Sequence, residues 1–170
     1  MRSQTPKPSL LRRKGGELSF SGSAFVELIR AVLDRGVPFR FKAKGISMHP
    51  FIRHGDVLTI SPLSDNLPRY GDVVAFIRPK VSNLIVHRVV GKRDGSFLIK
   101  GDNTACTDGY IPMANILGSV TKVERDGKEI YLGLGSERLL IAFLIRRGIL
   151  SSLLLPVYKL ARFITRGRVM

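Results

Sequence analysis

Three short segments carry residue types that can act together. Gly45-Ile46-Ser47-Met48-His49-Pro50 reads as a tight, non-regular turn that exposes a hydroxyl and aims backbone N–H groups. Leu84–Val90 (LIVHRVV) reads as a strand. Alternation sets Ile85, His87 and Val89 on one face and Val86, Arg88 and Val90 on the other, so His87 shares an apolar face. A neutral imidazole beside a serine is what a general base requires. Lys100-Gly101-Asp102-Asn103, followed by Asp108, reads as a turn after a strand. A carboxylate there can orient the imidazole and stabilise the imidazolium that forms. Two candidates stand six residues apart, Asp102 and Asp108. Each residue alone has an ordinary reading: a turn serine, a core histidine bonded to a carbonyl, a turn aspartate.

Other reactive types fit less well. His49 and His54 lie near Ser47, but their loop offers neither a fixed strand face nor an apolar flank. Cys106 has no adjacent histidine and reads as a buried structural thiol. Arg88 reads as a solvated strand residue. Met48, Phe51 and Ile52 line a substrate groove, touch lipid or pack in the core. The single cysteine excludes an intrachain disulfide and a Cys-based zinc cluster, and no metal or cofactor is expected.

The elements that must position these residues are mainly β. Val57–Ile60, Val73–Ile77, Leu84–Val90, Phe97–Lys100, Ile116–Val123 and Glu129–Leu132 are short runs rich in β-branched residues. Asp94-Gly95 and Asp126-Gly127 are hairpin dipeptides between such runs. Strands this close together, with no long helical pattern between them, predict an antiparallel sheet or small barrel. Ser23–Leu33 precedes them as a short helix, with Phe25, Leu28, Ile29 and Val32 at helical spacing and Gly36 and Pro38 at its end.

The chain has 170 residues, 44% of them hydrophobic, which suits one domain. Its net charge is +15, with 28 Lys+Arg against 13 Asp+Glu. Such an excess points to an anionic partner. Residues 1–16 and 138–170 contain no acidic residue and together carry +12, which leaves +3 for the middle. The organisation expected is a basic arm over 1–22, a catalytic domain over 23–137 with its core at 39–132, and a basic amphipathic tail over 138–170. In the tail, Leu139–Ile145 and Gly148–Tyr158 flank Arg146-Arg147, and Pro156 breaks any helix near its end. Two arginines at mid-span would cost roughly 2.5–3.5 kcal/mol each on insertion. The tail therefore reads as one or two helices that lie on a membrane interface or pack on the core, not as a span. No signal peptide is visible at the start.

Five ordered segments resemble the boxes of the type I signal peptidases: GISMHP, YGDVVAF (Tyr70–Phe76), VHRVVG (Val86–Gly91), KGDNTACTD (Lys100–Asp108) and ILGSV (Ile116–Val120). The clan also contains the self-cleaving LexA-like repressors. The resemblance covers roughly residues 43–123. It implies a mostly antiparallel β-fold, here with a short N-terminal helix and C-terminal amphipathic helices. It also implies Ser47 as nucleophile, His87 at the general-base position, and Asp102 and Asp108 as the carboxylates. Histidine at that position marks the archaeal and endoplasmic-reticulum branch; most bacterial members and the LexA-like branch have lysine. Ile46 departs from that branch, where glycine commonly stands directly before the serine. Gly45, Ile46 and Met48 are expected around the oxyanion and substrate groove, with the Ser47 N–H as one donor. Members of the family usually carry an N-terminal transmembrane helix, for which Ser23–Leu33 is too short and too charged.

The function expected is a membrane-associated serine endopeptidase acting on a signal or leader peptide of a preprotein, with small residues before the cut as the resemblance implies. Attachment is expected at an anionic membrane surface through the tail, with a cytoplasmic location as the alternative. A LexA-like self-cleaving DNA-binding regulator is the first rival. No Ala-Gly or Cys-Gly dipeptide occurs in the chain, and the residues before the core hold too little for a helix-turn-helix domain, so nucleic acid is not the expected partner. A non-catalytic or cytosolic peptide-processing factor is the second.

Overall fold

The computed structural model describes residues 22–63, 67–78 and 83–149, with the backbone of 12–14 and 17–19. Strands β1 (Arg12–Lys14) and β2 (Glu17–Ser19) form a small antiparallel hairpin inside the segment expected to be a loose arm. Helix α1 spans Gly22–Leu33 and buries Ala24, Val26, Ile29 and Leu33 along one face. Gly36, at φ +76°, closes it by donating its N–H to the Leu33 carbonyl. Then follow β3 (Phe39–Lys42), β4 (Val57–Ser61), β5 (Val73–Ile77), β6 (Leu84–Arg93), β7 (Ser96–Lys100) and β8 (Gly109–Pro112). A 3-10 turn at Met113–Asn115 leads to β9 (Ile116–Arg125), β10 (Lys128–Glu129) and α2 (Arg138–Arg146).

The expected antiparallel architecture is present. Eight strands form one sheet in the order β3-β4-β9-β5-β6-β7-β8, with β10 paired to β9, and every pairing is antiparallel. Asp94-Gly95 and Asp126-Gly127 turn β6 into β7 and β9 into β10. All four residues have positive φ, the requirement of the turn type that matches strand twist. The last expected strand starts earlier and ends sooner than Glu129–Leu132, because pairing begins directly after the turn and Tyr131 leaves the ladder. Strand β8 was not anticipated. Gly109 and Pro112 look like breakers, yet as the last strand of the sheet it tolerates both.

Both sheet faces are covered. Under α1, Ile29 and Leu33 pack with Met48, Ile52, Leu58, Ile60, Val73, Ala75, Val120 and Val123. The opposite face collects Val74, Phe76, Val89, Phe97, Ile99, Ile111 and Ile116. Helix α2 seats on the β6 bulge between Val89 and Gly91, where Val90 meets Ile141, Ala142 and Ile145. There the Arg146 guanidinium donates to the Val90 carbonyl at 3.0 Å. The beginning of the tail therefore packs on the core; its continuation from residue 150 lies outside the described residues.

Burial of both faces decides the state of Arg88. Its expected solvation is corrected: the residue has 0% exposure. Nε and Nη2 donate to the two Asp102 carboxylate oxygens at 2.9 and 2.7 Å, and Nη1 donates to the carbonyls of Gly71 and Gly133 at 2.9 and 2.8 Å. The pair thus fastens β6, the turn after β7 and the segment before α2 to one another. Asp102→Ala would leave the guanidinium buried and unpaired, and should cost about 3–5 kcal/mol in guanidinium unfolding. Replacing both partners with apolar residues of similar size should cost less than the single change.

Candidate active site

His87 lies on the face of β6 opposite to Arg88, paired with Val74 across the β5 ladder and 6.2 Å, centroid to centroid, from the Phe76 ring. Its Nδ1 is 2.6 Å from Asp108 Oδ2. Asp108 reaches it because the loop closes on itself: the Asp108 N–H donates to the Ile99 carbonyl at 2.8 Å, and β8 begins at the next residue. The exposed Arg78 guanidinium also pairs with Asp108. Burial alone pushes the Asp108 carboxyl upward. The hydrogen bond and charge of His87, then those of Arg78, outweigh this and hold its pKa below the ordinary carboxylate value.

The two candidate carboxylates thus have separate partners. Asp102 does not meet His87; both of its oxygens bond Arg88. Exclusion from water pushes the Asp102 carboxyl above its usual range, with the guanidinium pulling the other way.

The Ser47 turn is held against the same loop. The Asn103 N–H donates to the Ser47 carbonyl at 2.7 Å, and Asn103 Nδ2 to the Ile46 carbonyl at 3.2 Å. On its other side Met48 is buried in the core under α1, and the Ile52 N–H closes a turn onto the Met48 carbonyl. Further along, Arg125 clamps this segment by donating to both Asp56 oxygens and to the Phe51 carbonyl. Gly101 lies where the parts converge. A Cβ built on it would fall 2.8 Å from the Ser47 carbonyl oxygen and 2.9 Å from His87 Nε2. Serine turn and free imidazole nitrogen therefore border the same small space, which only glycine leaves open.

The other expected residues are distributed around this point. Gly45 takes φ +96° and donates its N–H to His54 Nδ1 at 3.4 Å. Ile46 is 66% exposed. Burial, then the charges of Arg53 and Arg125, lower the His49 pKa. Cys106 is exposed, not a buried thiol, because the loop between β7 and β8 carries it over the surface. Gly45, Ser47 and Met48 line a cavity of about 940 Å3. Sequence reasoning missed Arg78 as a partner of Asp108, and no periodicity marked it. Among the described residues, no group of three or more His, Cys, Asp or Glu side chains is placed to hold a metal ion.

The lowered Asp108 pKa has a stability consequence. Its ionised form stabilises the fold above the ordinary carboxylate pKa of about 3.9, and this contribution is lost as pH falls through the lower folded value. In thermal melts, Asp108→Asn should be less stable than the parent at pH 7, and the gap should shrink as pH falls below the ordinary carboxylate range.

No curated protein matched the chain. The family model described as Peptidase S24-like matches residues 18–121, a span that holds Ser47, His87, Asp102 and Asp108.

Proposed function

The chain belongs to the S24-like peptidase family, and from that membership we propose a serine endopeptidase that cuts an extended peptide, in particular a signal or leader peptide. Ser47 Oγ attacks the scissile carbonyl carbon while His87 Nε2 takes its proton. Asp108 holds the Nδ1 proton, selects the tautomer with a free Nε2, and stabilises the imidazolium. Collapse of the tetrahedral intermediate breaks the C–N bond, and the imidazolium returns the proton to the leaving amine. Water then hydrolyses the Ser47 ester by the same route. The Ser47 N–H is the proposed oxyanion donor. Asp102 has no part in proton transfer; it positions the turn that carries Gly101 and Asn103.

One observation carries the reading: the 2.6 Å His87–Asp108 contact, with His87 Nε2 and the Ser47 carbonyl both bordering Gly101. The sheet supports an extended substrate. Strand β6 pairs with β7 only from Arg88 onward, so among the described strands Leu84–His87 is paired along one edge, against β5. An extended peptide can add to such an edge and lead its carbonyl to Ser47.

Purified protein should cleave fluorogenic peptides. Ser47→Ala and His87→Ala should each lose roughly a thousandfold or more in kcat, and Gly101→Ala should lose cleavage while retaining its circular dichroism. Full activity in Ser47→Ala or His87→Ala would overturn the assignment. Self-cleavage is the second reading. It is favoured by one contact: Gly22, where the N-terminal arm joins α1, lines the cavity at Ser47. It would appear in the same assay as chain fragmentation whose rate does not depend on protein concentration.

Attachment to an anionic membrane surface belongs to the same proposal. Among the described residues, no helix is long and apolar enough to cross a membrane. Helix α2 is apolar on two sides, however: Ile141, Ala142 and Ile145 face the core, while Leu139, Leu140 and Phe143 are exposed. The Arg147 guanidinium lies 5.3 Å from the centre of the Phe143 ring. This combination suits a helix at the boundary of an anionic bilayer. Vesicles containing phosphatidylglycerol should sediment the protein at low salt and release it at high salt, and neutral vesicles should not. A protein that stays in the supernatant at low salt would count against attachment.

A further inference from the structure

The cavity that opens at Ser47 has a composition of its own. Its volume of about 940 Å3 is far more than a small side chain fills, and lies near the upper end of the range for ligand sites. Phe25 of α1, Phe41 of β3 and Leu84 of β6 form apolar walls. The Phe25 ring meets those of Phe39 and Phe41 edge-on at 5.9 and 6.0 Å, which holds the wall in place. Lys42, Lys44 and Arg53 also line the cavity, and all three are exposed. Among the described residues, no acidic side chain lines it and none of the three cations enters an ion pair.

We propose that this groove selects a peptide segment of another protein that carries a large aliphatic or aromatic side chain next to acidic residues, within a few positions of the scissile bond. The inference rests on the peptidase reading and differs from it in substrate class. The resemblance to signal peptidases implies small side chains before the cut, whereas a cavity of this size with aromatic walls would leave an alanine in contact with little. Burying a leucine instead removes apolar area from water on both partners. The three cations favour carboxylates on the incoming chain and repel a basic segment. They also disfavour the chain's own residues 1–16, which carry five basic and no acidic side chains; occupation by Glu17-Leu18-Ser19-Phe20 would show as fragmentation of the chain in the assay below and overturn the choice of another protein.

A position-scanning set of quenched eight-residue peptides tests this, with Ala, Leu, Phe, Glu or Lys placed in turn at each position. Cleavage is read as kcat/KM with the active chain, and binding as fluorescence anisotropy with Ser47→Ala. Leu or Phe should exceed Ala at one or two positions by about tenfold or more. Glu should exceed Lys at a neighbouring position by several-fold, with the margin shrinking as salt rises. Phe41→Ala should reduce the Leu-to-Ala ratio. Lys44→Glu, an exposed change that leaves the core untouched, should abolish or invert the Glu-to-Lys preference. Cleavage that prefers Ala, or is indifferent to Glu and Lys, would overturn the selection and leave the peptidase reading standing. Selective binding of Leu/Glu peptides without any cleavage would support the groove and sink the peptidase. Neither binding nor cleavage across the set would overturn both.

Discussion

One loop has to satisfy two adjacent residues that point to opposite sides of a sheet. His87 and Arg88 are neighbours on β6, and both sheet faces are buried there. Each needs a carboxylate, and both carboxylates come from residues 102–108. The first turn of the loop delivers Asp102 to the α2 side, and its return to the β7 ladder delivers Asp108 to the other. Between them, Gly101 and Asn103 touch the Ser47 turn. A buried guanidinium without its partner would cost several kcal/mol, so the pair that stabilises the fold also fixes the path of the loop that completes the site.

Much of this was legible in residue types and spacing. Short β-branched runs and two Asp-Gly dipeptides indicated antiparallel strands, because both signals are local. Ser47, His87 and a downstream aspartate were marked by their order. Which aspartate meets His87 was not, since the answer depends on a loop that closes through the Asp108 N–H to Ile99. Arg88 was misjudged by its polarity alone. A usable signal was present, because Val86 and Val90 flank it on the same strand face; a cation within an apolar stripe demands a buried partner. Strand β8 was hidden by Gly109 and Pro112, whose local preferences yield to pairing with β7. Cys106 was assigned by residue type, without knowledge of the loop that carries it outward.

The charge of the middle region, nearly balanced as a sum, is unevenly used. Arg78, Arg88, Arg125 and Arg138 are paired with Asp108, Asp102, Asp56 and Asp72. These pairs consume acidic side chains at internal joints. Lys42, Lys44 and Arg53 at the groove beside Ser47 enter none of these pairs, and the two acid-free ends hold twelve cations. A net charge of +3 therefore conceals a groove beside Ser47 that is locally cationic.

The adjacency of His87 and Arg88 has a consequence for a chain that is still acquiring its shape. Side chains alternate along a strand, so a slip of β6 by one residue would exchange the two. The guanidinium would then stand opposite Asp108, where it cannot accept a proton, and the imidazole would be sealed beside Asp102. Only the native register, with its extra residue at Val90, sets the imidazole against Asp108. A misregistered strand would therefore carry neither pairing, so the imidazole and guanidinium contacts are acquired together or not at all.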